Sequence, residues 1–268
     1  MTQPPATGLP PLYGPPTVLR FPDHRGLGLR RDPGFGFAAG TAAIPLTLPE
    51  FAAAGRSYPI VFAADAGALP LALTGLTAGR NLFVAEDGAW RAGHYVPAYL
   101  RRYPFIAVEA EAGGARLLGL DTTSALVSTD AARDAAEALF DAEGRPTERA
   151  SAAMAMCEAY AREHAATEAF SAALVEHGLL APRTAELRLT NGATDPAAEA
   201  APSPEAAPNA VVTGFQVVDE AAFRALPGTV VAEFHTRGWL APVVLHLAAQ
   251  LSWSTLLDGA AAEQNRAA

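Results

Sequence analysis

The sequence contains no lysine, and all 19 of its basic residues are arginine. Without lysine the chain cannot form a lysine Schiff base, and it lacks the lysine of a nucleotide-binding P-loop. Acidic residues outnumber basic ones, 28 to 19, and the formal net charge is −9. Because nucleic-acid binding needs a dense basic surface, this charge argues against a nucleic-acid partner.

Cys157 is the single cysteine, which excludes an intrachain disulfide and a zinc site built from cysteines. Cys157 and His164 are seven residues apart on a predicted helix, about 10 Å along its axis, too far for a thiol–imidazole pair. The spacings HExxH, Glu-x-x-His and Gly-x-Ser-x-Gly are missing. His164 and Glu168 have the i, i+4 spacing of a solvated ion pair. We therefore predict no metal and no cofactor, and the missing motifs favour a non-catalytic protein over an enzyme.

Two stretches resemble motifs that they do not complete. "GFGFAAG" (34–40) has glycine spacing like that of a dinucleotide loop, but Pro45 and Pro49 follow too closely for the helix that such a loop opens. "GWLAPVVLHLAAQLSW" (238–253) is too short for a membrane span, and we expect a buried helix and no transmembrane segment. The first residues lack the pattern of a secretory signal. We expect a cytoplasmic location, with signal-less export to the cell surface as the alternative.

The order of predicted elements indicates an α+β fold. Residues 1–36 are rich in proline and glycine and indicate a surface arm. Five short apolar runs then predict an antiparallel β-rich half, a meander or a small barrel: "YPIVFAA", "LPLALTGL", "NLFVAEDGAW", "YPFIAVEA" and "ARLLGLD". These strands would pack with a C-terminal helical half. We expect one domain over 37–258, and a frayed tail over 259–268.

A long amphipathic helix is predicted over 146–178. It begins near a proline, ends at a glycine and places one set of side chains on one broad face: Met156, Cys157, Tyr160, His164, Leu174 and Val175. The segment 192–210 is an Ala/Pro/Glu-rich insertion, predicted to be flexible. A strand "VVTGFQVV" follows it, Asp219 can cap the next helix, and apolar helices continue to Leu257.

The stretch "RRYPFIAVEA" (101–110) combines two arginines with a strand entry. A proline favours extended geometry in the residue before it and suits the start of a strand, as in the related "SYPIVFAA". Phe105 is predicted to be the buried aromatic residue, while Tyr103 keeps its hydroxyl near charged groups. Arg101 and Arg102 lie at the end of a short predicted helix, where the helix dipole favours cations without any ligand. Replacing both with Gln should therefore lower the free energy of unfolding by under about 1 kcal/mol.

Two clusters are candidate ligand sites. The first mixes aromatic rings with fixed cations, as a pocket for a planar or acidic ligand does: Trp90, His94, Tyr95, Arg101, Arg102 and Tyr103. The second is weaker and consists of His235, Arg237 and Trp239. The alternative for the first cluster is the edge of a core with solvated arginines, and no catalytic residue is assigned in either.

Several linked motifs, in order, resemble the bacterial SapC family over residues 37–257: "IPLTLPEFAAAGRSYPIVF", "GRNLFVAEDGAWRAGHYVPAYLRRYPF", "LFDAEGRPT", "GFQVVDEAAFRALP" and "EFHTRGWLAPVVLHLAAQL". The resemblance implies a link to surface-layer formation, and it carries no catalytic residues over to this chain. It favours a non-catalytic accessory or binding protein tied to the cell envelope. The alternatives are an enzyme or binding protein for a small acidic or planar ligand, and an interaction module for a partner enzyme.

Overall fold

The structure is a computed structural model and describes residues 10–31, 34–109, 114, 116–187 and 210–267. Its strands are β1 Thr17–Val18, β2 Gly28–Leu29, β3 Ala43–Pro45, β4 Ile60–Ala63, β5 Pro70–Leu73, β6 Phe105–Glu109, β7 Arg116–Leu120, β8 Val127–Ser128, β9 Glu137–Ala138, β10 Leu180–Leu187 and β11 Ala210–Val218. Its α-helices are α1 Phe51–Ala54, α2 Ala98–Arg101, α3 Glu148–Glu176, α4 Glu220–Arg224, α5 Gly228–Thr236, α6 Leu240–Ala249 and α7 Trp253–Ala267.

The fold is α+β, as predicted, with antiparallel sheets in the N-terminal half and helices in the C-terminal half. Across the described residues no sheet closes into a barrel, so the barrel alternative is wrong. Four of the five apolar runs form strands, β4 to β7, and the prolines Pro59 and Pro104 directly precede β4 and β6 as predicted. The run at 81–90 instead makes one isolated bridge, between Val84 and Trp90.

Internal contacts divide the chain into two compact units. Unit 1 comprises Met1–Phe37 and Tyr99–Arg162, and unit 2 comprises Ala38–Ala98 and Glu163–Ala268. Helix α3 therefore contributes its first half to unit 1 and its second half to unit 2. The single domain over 37–258 stays a prediction.

Unit 1 contains two small antiparallel sheets, β1-β7-β6 and β8-β2-β9. Strands β1 and β2 come from the stretch predicted to be a surface arm, and that prediction is wrong for them because both pair with later strands. Gly28 allows Ala131 to approach β2 closely, since a Cβ at Gly28 would lie 2.6 Å from the Ala131 Cβ atom. Phe105 is buried, as predicted, and packs in a core with Leu120, Leu139 and Cys157.

Unit 2 is built on a five-stranded antiparallel sheet, in the order β10-β11-β4-β5-β3. The sheet and the helices share a core that includes Tyr58, Phe62, Phe170 and Phe234. Asp219 caps α4 as predicted, because its side chain accepts hydrogen bonds from the amides of Ala221 and Ala222.

Helix α3 is continuous over 29 residues and confirms the predicted long helix. The predicted buried face is correct for Cys157, Tyr160 and Leu174 but wrong for Val175, which is about half exposed. The buried face instead continues through Thr167, Phe170 and Ser171. Buried positions recur every three or four residues along α3. The sequence does not predict the burial of Phe170, because the many alanines of this helix obscure the apolar period.

Two sequence predictions concern the C-terminal part of the chain. The predicted flexible insertion lies, over residues 192–209, outside the described residues; the strands on either side of it, β10 and β11, pair with each other. Residues 259–267 belong to α7, and fraying of this tail stays a prediction.

Helices α6 and α7 and the 3-10 turn between them, Gln250–Ser252, form one continuous stretch. Within the part of the chain that the structure describes, one segment, Leu240–Glu263, is long and apolar enough to span a membrane by length and composition alone. Core helices of soluble proteins meet the same criterion. The expected lack of a transmembrane segment therefore stays a prediction.

Candidate functional site

The first predicted cluster is divided between the two units. Trp90, His94 and Tyr95 belong to unit 2, whereas Arg101, Arg102 and Tyr103 belong to unit 1. Each trio is therefore described within its own unit.

Two members of the unit 2 trio, Trp90 and His94, contact the ring of Phe83. Trp90 stacks on Phe83 with ring centroids 6.2 Å apart, and its Nε1 donates to the Tyr58 hydroxyl at 3.2 Å. His94 meets the edge of Phe83 at 4.9 Å. Partial burial, and then the nearby Arg91 cation, lower the pKa of His94. These contacts give Trp90 and His94 structural roles in the unit 2 core.

Tyr95 belongs to a hydrogen-bond network around the buried carboxylate of Glu50. The Glu50 side chain accepts from the Tyr95 hydroxyl at 3.1 Å, from the Ala98 amide at 2.7 Å, and from the amide and hydroxyl of Thr47 at 2.8 and 2.9 Å. Four donors replace the water that this carboxylate loses on burial. Glu50 thus ties the loop before α1 to the start of α2.

Arg102 occupies a buried cage of tyrosine rings. Its guanidinium carbon lies 4.1 Å from the ring centroid of Tyr160, 4.8 Å from that of Tyr99 and 5.3 Å from that of Tyr13. The residue is 8% exposed, and its Nε has no hydrogen-bond partner among the described residues. The prediction of a solvated cation is therefore wrong for Arg102, although Arg101 beside it is exposed.

The cage is compatible with a charged guanidinium because the phenols of Tyr99 and Tyr13 remain neutral. Burial raises the pKa of Tyr99 to about 12 and also raises that of Tyr13, so both phenols keep their protons at neutral pH. The π faces of three rings offset part of the cost of removing the cation from water. We conclude that Arg102 fixes the position of α3 in unit 1.

Tyr103, the last member of the first cluster, borders the network around Asp121. Its hydroxyl donates to the Asp121 carboxylate at 3.3 Å, and its ring stacks on Phe37 at 4.4 Å. Asp121 also accepts from the Gly14 amide at 2.7 Å and from the Thr123 hydroxyl at 2.6 Å. Those hydrogen bonds outweigh burial and lower the pKa of Asp121.

The second predicted cluster anchors the C-terminal helices. Trp239 is buried and contacts the rings of Phe234 and Phe170 at 5.4 and 6.1 Å. The Arg237 guanidinium lies 5.0 Å from the Trp239 ring and pairs with Glu233 at 3.5 Å. His235 is exposed. The three residues cover the edge of a core.

A groove in unit 1 is the stronger candidate site. It lies between β7 and the first half of α3 and has a volume of about 460 Å³. Its lining is mostly apolar and includes Leu19, Leu118, Phe140 and Met154. Sequence reasoning missed it because these residues come from four separate segments that only the tertiary fold brings together.

Charged residues of both signs lie beside the groove. Arg116 and Glu158 line the groove and also a neighbouring polar depression, which Glu109 and Arg162 line as well. Arg116 pairs with Glu109 at 3.7 Å, which is longer than a hydrogen bond. An apolar surface bordered by balanced charges suits a binding partner with an apolar part and flanking charges.

The family model for SapC matches residues 19–256. The chain belongs to the SapC family. The match begins at residue 19, before the motifs that carry the resemblance, and it includes the segment that forms β2. No curated protein and no solved structure matches the chain.

Within the described part of this SapC-family chain, no three histidine, cysteine or acidic side chains approach each other closely enough to hold a metal ion. Burial raises the pKa of Cys157 to about 11, so its thiol is protonated at neutral pH. His164 and Glu168 form the predicted i, i+4 pair, with Nε2 and Oε1 3.5 Å apart.

Proposed function

We propose that this SapC-family chain is a non-catalytic accessory protein of the cell envelope that binds an apolar segment of a partner protein in the groove of unit 1. The groove is the observation that carries the proposal. Its volume, about 460 Å³, falls in the range of binding pockets and fits one or two large apolar side chains.

The charges beside the groove favour a protein segment over a simple anion. A dedicated anion site concentrates basic groups, whereas here Arg116 and Arg162 are balanced by Glu109 and Glu158. A segment with charged residues of both signs next to its apolar side chains complements this arrangement. The link to the cell envelope rests on the family resemblance.

The cage around Arg102 supports the same role, because it holds one wall of the groove in place. Tyr160 packs on Arg102, and Cys157 lies in the unit 1 core. Met154 and Glu158 alternate with these residues along α3 and line the groove. A wall fixed in this way presents a preformed surface, which reduces the entropic cost of binding.

Site-specific photo-crosslinking in the living host tests the proposal. A photoreactive phenylalanine at Met154 should form an adduct with one envelope protein, and a synthetic peptide of the crosslinked segment should then bind the purified full chain. The matched control places the same group at Val175, an exposed residue of α3 in unit 2, and should give no such adduct.

A second variant ties binding to the groove. Ala155→Trp fills the groove from an exposed position on its wall and should weaken peptide binding at least tenfold. Ala166→Trp, an exposed position on the same helix outside the lining, should leave binding unchanged. The proposal is rejected if both crosslinking positions give equal adducts, or if Ala155→Trp does not weaken peptide binding. A small acidic molecule bound to the purified chain would favour the ligand-binding alternative.

A further inference from the structure

The groove of unit 1 lies along one edge of strand β7. Arg116, Leu117 and Leu118 all line it. Because successive side chains of a strand point to opposite faces of the sheet, a groove that touches three consecutive residues lies at the edge of the strand and not over one face. The other edge of β7 pairs with β6 over all five residues, so the groove follows the edge on the side of β1.

Strand β1 covers only part of this edge. It pairs with β7 at two residues, and the Leu19 amide then donates to the Leu118 carbonyl oxygen at 2.9 Å. The chain next turns away from the sheet, and the His24 amide donates to the Arg20 carbonyl oxygen at 3.0 Å. Among the described residues, the edge of β7 from Leu118 back to Arg116 therefore has the groove beside it where a further strand could pair.

The pairing of β7 with β6 shows which backbone groups point into this gap. In an antiparallel pair the hydrogen-bonded residues alternate with residues whose backbone groups point to the opposite side. The Asp121 amide donates to the Pro104 carbonyl oxygen at 3.0 Å, so by alternation the backbone groups of Leu118 and Arg116 point away from β6. The hydrogen bond from Leu19 to Leu118 agrees with this alternation. Within the described part of the chain, the Leu118 amide and both backbone groups of Arg116 have no hydrogen-bond partner.

We propose that the groove binds its partner segment as an extended strand, which pairs with the open edge of β7 and continues the sheet where β1 ends. This inference rests on the proposed function and adds the backbone conformation of the bound segment. An extended segment presents free donors and acceptors to the Leu118 amide and the Arg116 carbonyl oxygen, whereas the backbone groups inside a helix are already bonded to each other.

Strand pairing also determines which side chains of the segment enter the groove. Leu118 packs against the unit 1 core, to which α3 contributes Ala150 and Cys157, so Leu118 lies on the face of the sheet towards α3. Every second side chain of an added strand therefore points at the α3 wall, where Ala150 and Ala155 leave room beside Met154. We expect a segment with large apolar residues at positions i and i+2.

Selection from a peptide library measures this spacing before the partner is known. Random peptides displayed on phage are selected on the purified full chain and depleted on Ala155→Trp, in which the indole fills the groove. The selected peptides should share apolar residues at i and i+2. A segment that binds as a helix would instead repeat its apolar residues at i and i+3 or i+4.

Backbone N-methylation of a selected peptide tests the hydrogen bonds. A methyl group on an amide that faces β7 removes a donor and separates the two strands, so affinity should fall about tenfold or more at every second position. Methylation at the positions between them should change the affinity less than about twofold, because those amides face away from β7.

Hydrogen exchange of single amides in the full chain, followed by NMR, gives an independent measurement. Bound peptide should slow the exchange of the Leu118 amide, which gains a hydrogen bond. The Leu117 amide points towards β6 by the same alternation, so its exchange should stay unchanged and provides the matched control.

The outcomes separate this inference from the proposed function. Peptides that need the groove but show helical spacing, or N-methyl effects without a period of two, overturn the added strand and leave the proposed function intact. An unchanged exchange rate of the Leu118 amide in the complex excludes pairing with β7. If no selected peptide is lost on Ala155→Trp, the groove binds no segment, and both the proposed function and this inference are wrong.

Discussion

Replacing Arg102 with Gln should destabilise unit 1 far more than the same change at Arg101. The closest ring, that of Tyr160 at 4.1 Å, contributes about 2 kcal/mol because the pair is desolvated, and the rings of Tyr99 and Tyr13 add about 0.5 kcal/mol each. A buried Gln amide without hydrogen-bond partners adds a further cost to the free energy of folding. Removal of the buried positive charge offsets that cost. We expect a net loss of about 3 kcal/mol for Arg102→Gln and under about 0.5 kcal/mol for exposed Arg101→Gln.

The measurement must report unit 1. All three tryptophans, Trp90, Trp239 and Trp253, lie in unit 2, so tryptophan fluorescence follows that unit. Amide hydrogen exchange in residues 148–162 of α3, together with urea unfolding followed by far-UV circular dichroism, gives the free energy of opening of unit 1. Faster exchange in this stretch for Arg102→Gln, and not for Arg101→Gln, is the expected result.

Arg102→Met separates the cation–π contribution from packing. Methionine fills similar space without the charge and is expected to lose about 1–2 kcal/mol if the three rings stabilise the cation. If Arg102→Met is as stable as the native chain, the cost of burying the charge cancels the contact with the rings. If Arg102→Gln costs no more than Arg101→Gln, the whole account of the cage is wrong.

Three further predictions concern stability. Phe105→Ala should cost roughly 3–5 kcal/mol in urea unfolding because Phe105 is 3% exposed in the unit 1 core, and a silent change would contradict the strand-entry argument. Burial lowers the pKa of His246 to about 4, below its unfolded value of about 6.5. The unfolded state therefore takes up a proton first, and the free energy of unfolding should fall by up to about 1.4 kcal/mol per pH unit from pH 6.5 towards 4. His246→Gln should reduce this slope between pH 6.5 and 5 in tryptophan-monitored unfolding, and an unchanged slope would assign it to other groups. Deleting residues 194–207 of the predicted flexible insertion should shift the melting temperature little, and a large drop would show that the segment packs.

Local sequence signals determined the family, the fold class and several element boundaries. The prolines before β4 and β6, the Asp219 cap and the long α3 helix all follow from rules that act within a few residues of the chain. The burial of Phe105 could be chosen over that of Tyr103 because a tyrosine hydroxyl needs a polar partner, which Asp121 provides.

Only the tertiary structure decided which charged and apolar side chains are covered. Arg101 and Arg102 are neighbours with the same chemistry, yet Arg101 is exposed and Arg102 is buried, because Tyr13 and Tyr160 reach Arg102 from distant parts of the chain. The groove likewise joins Leu19, Leu118 and Phe140 with helix α3. Burial depends on contacts between residues far apart in sequence, and helix-end and strand-entry rules carry no information about such contacts.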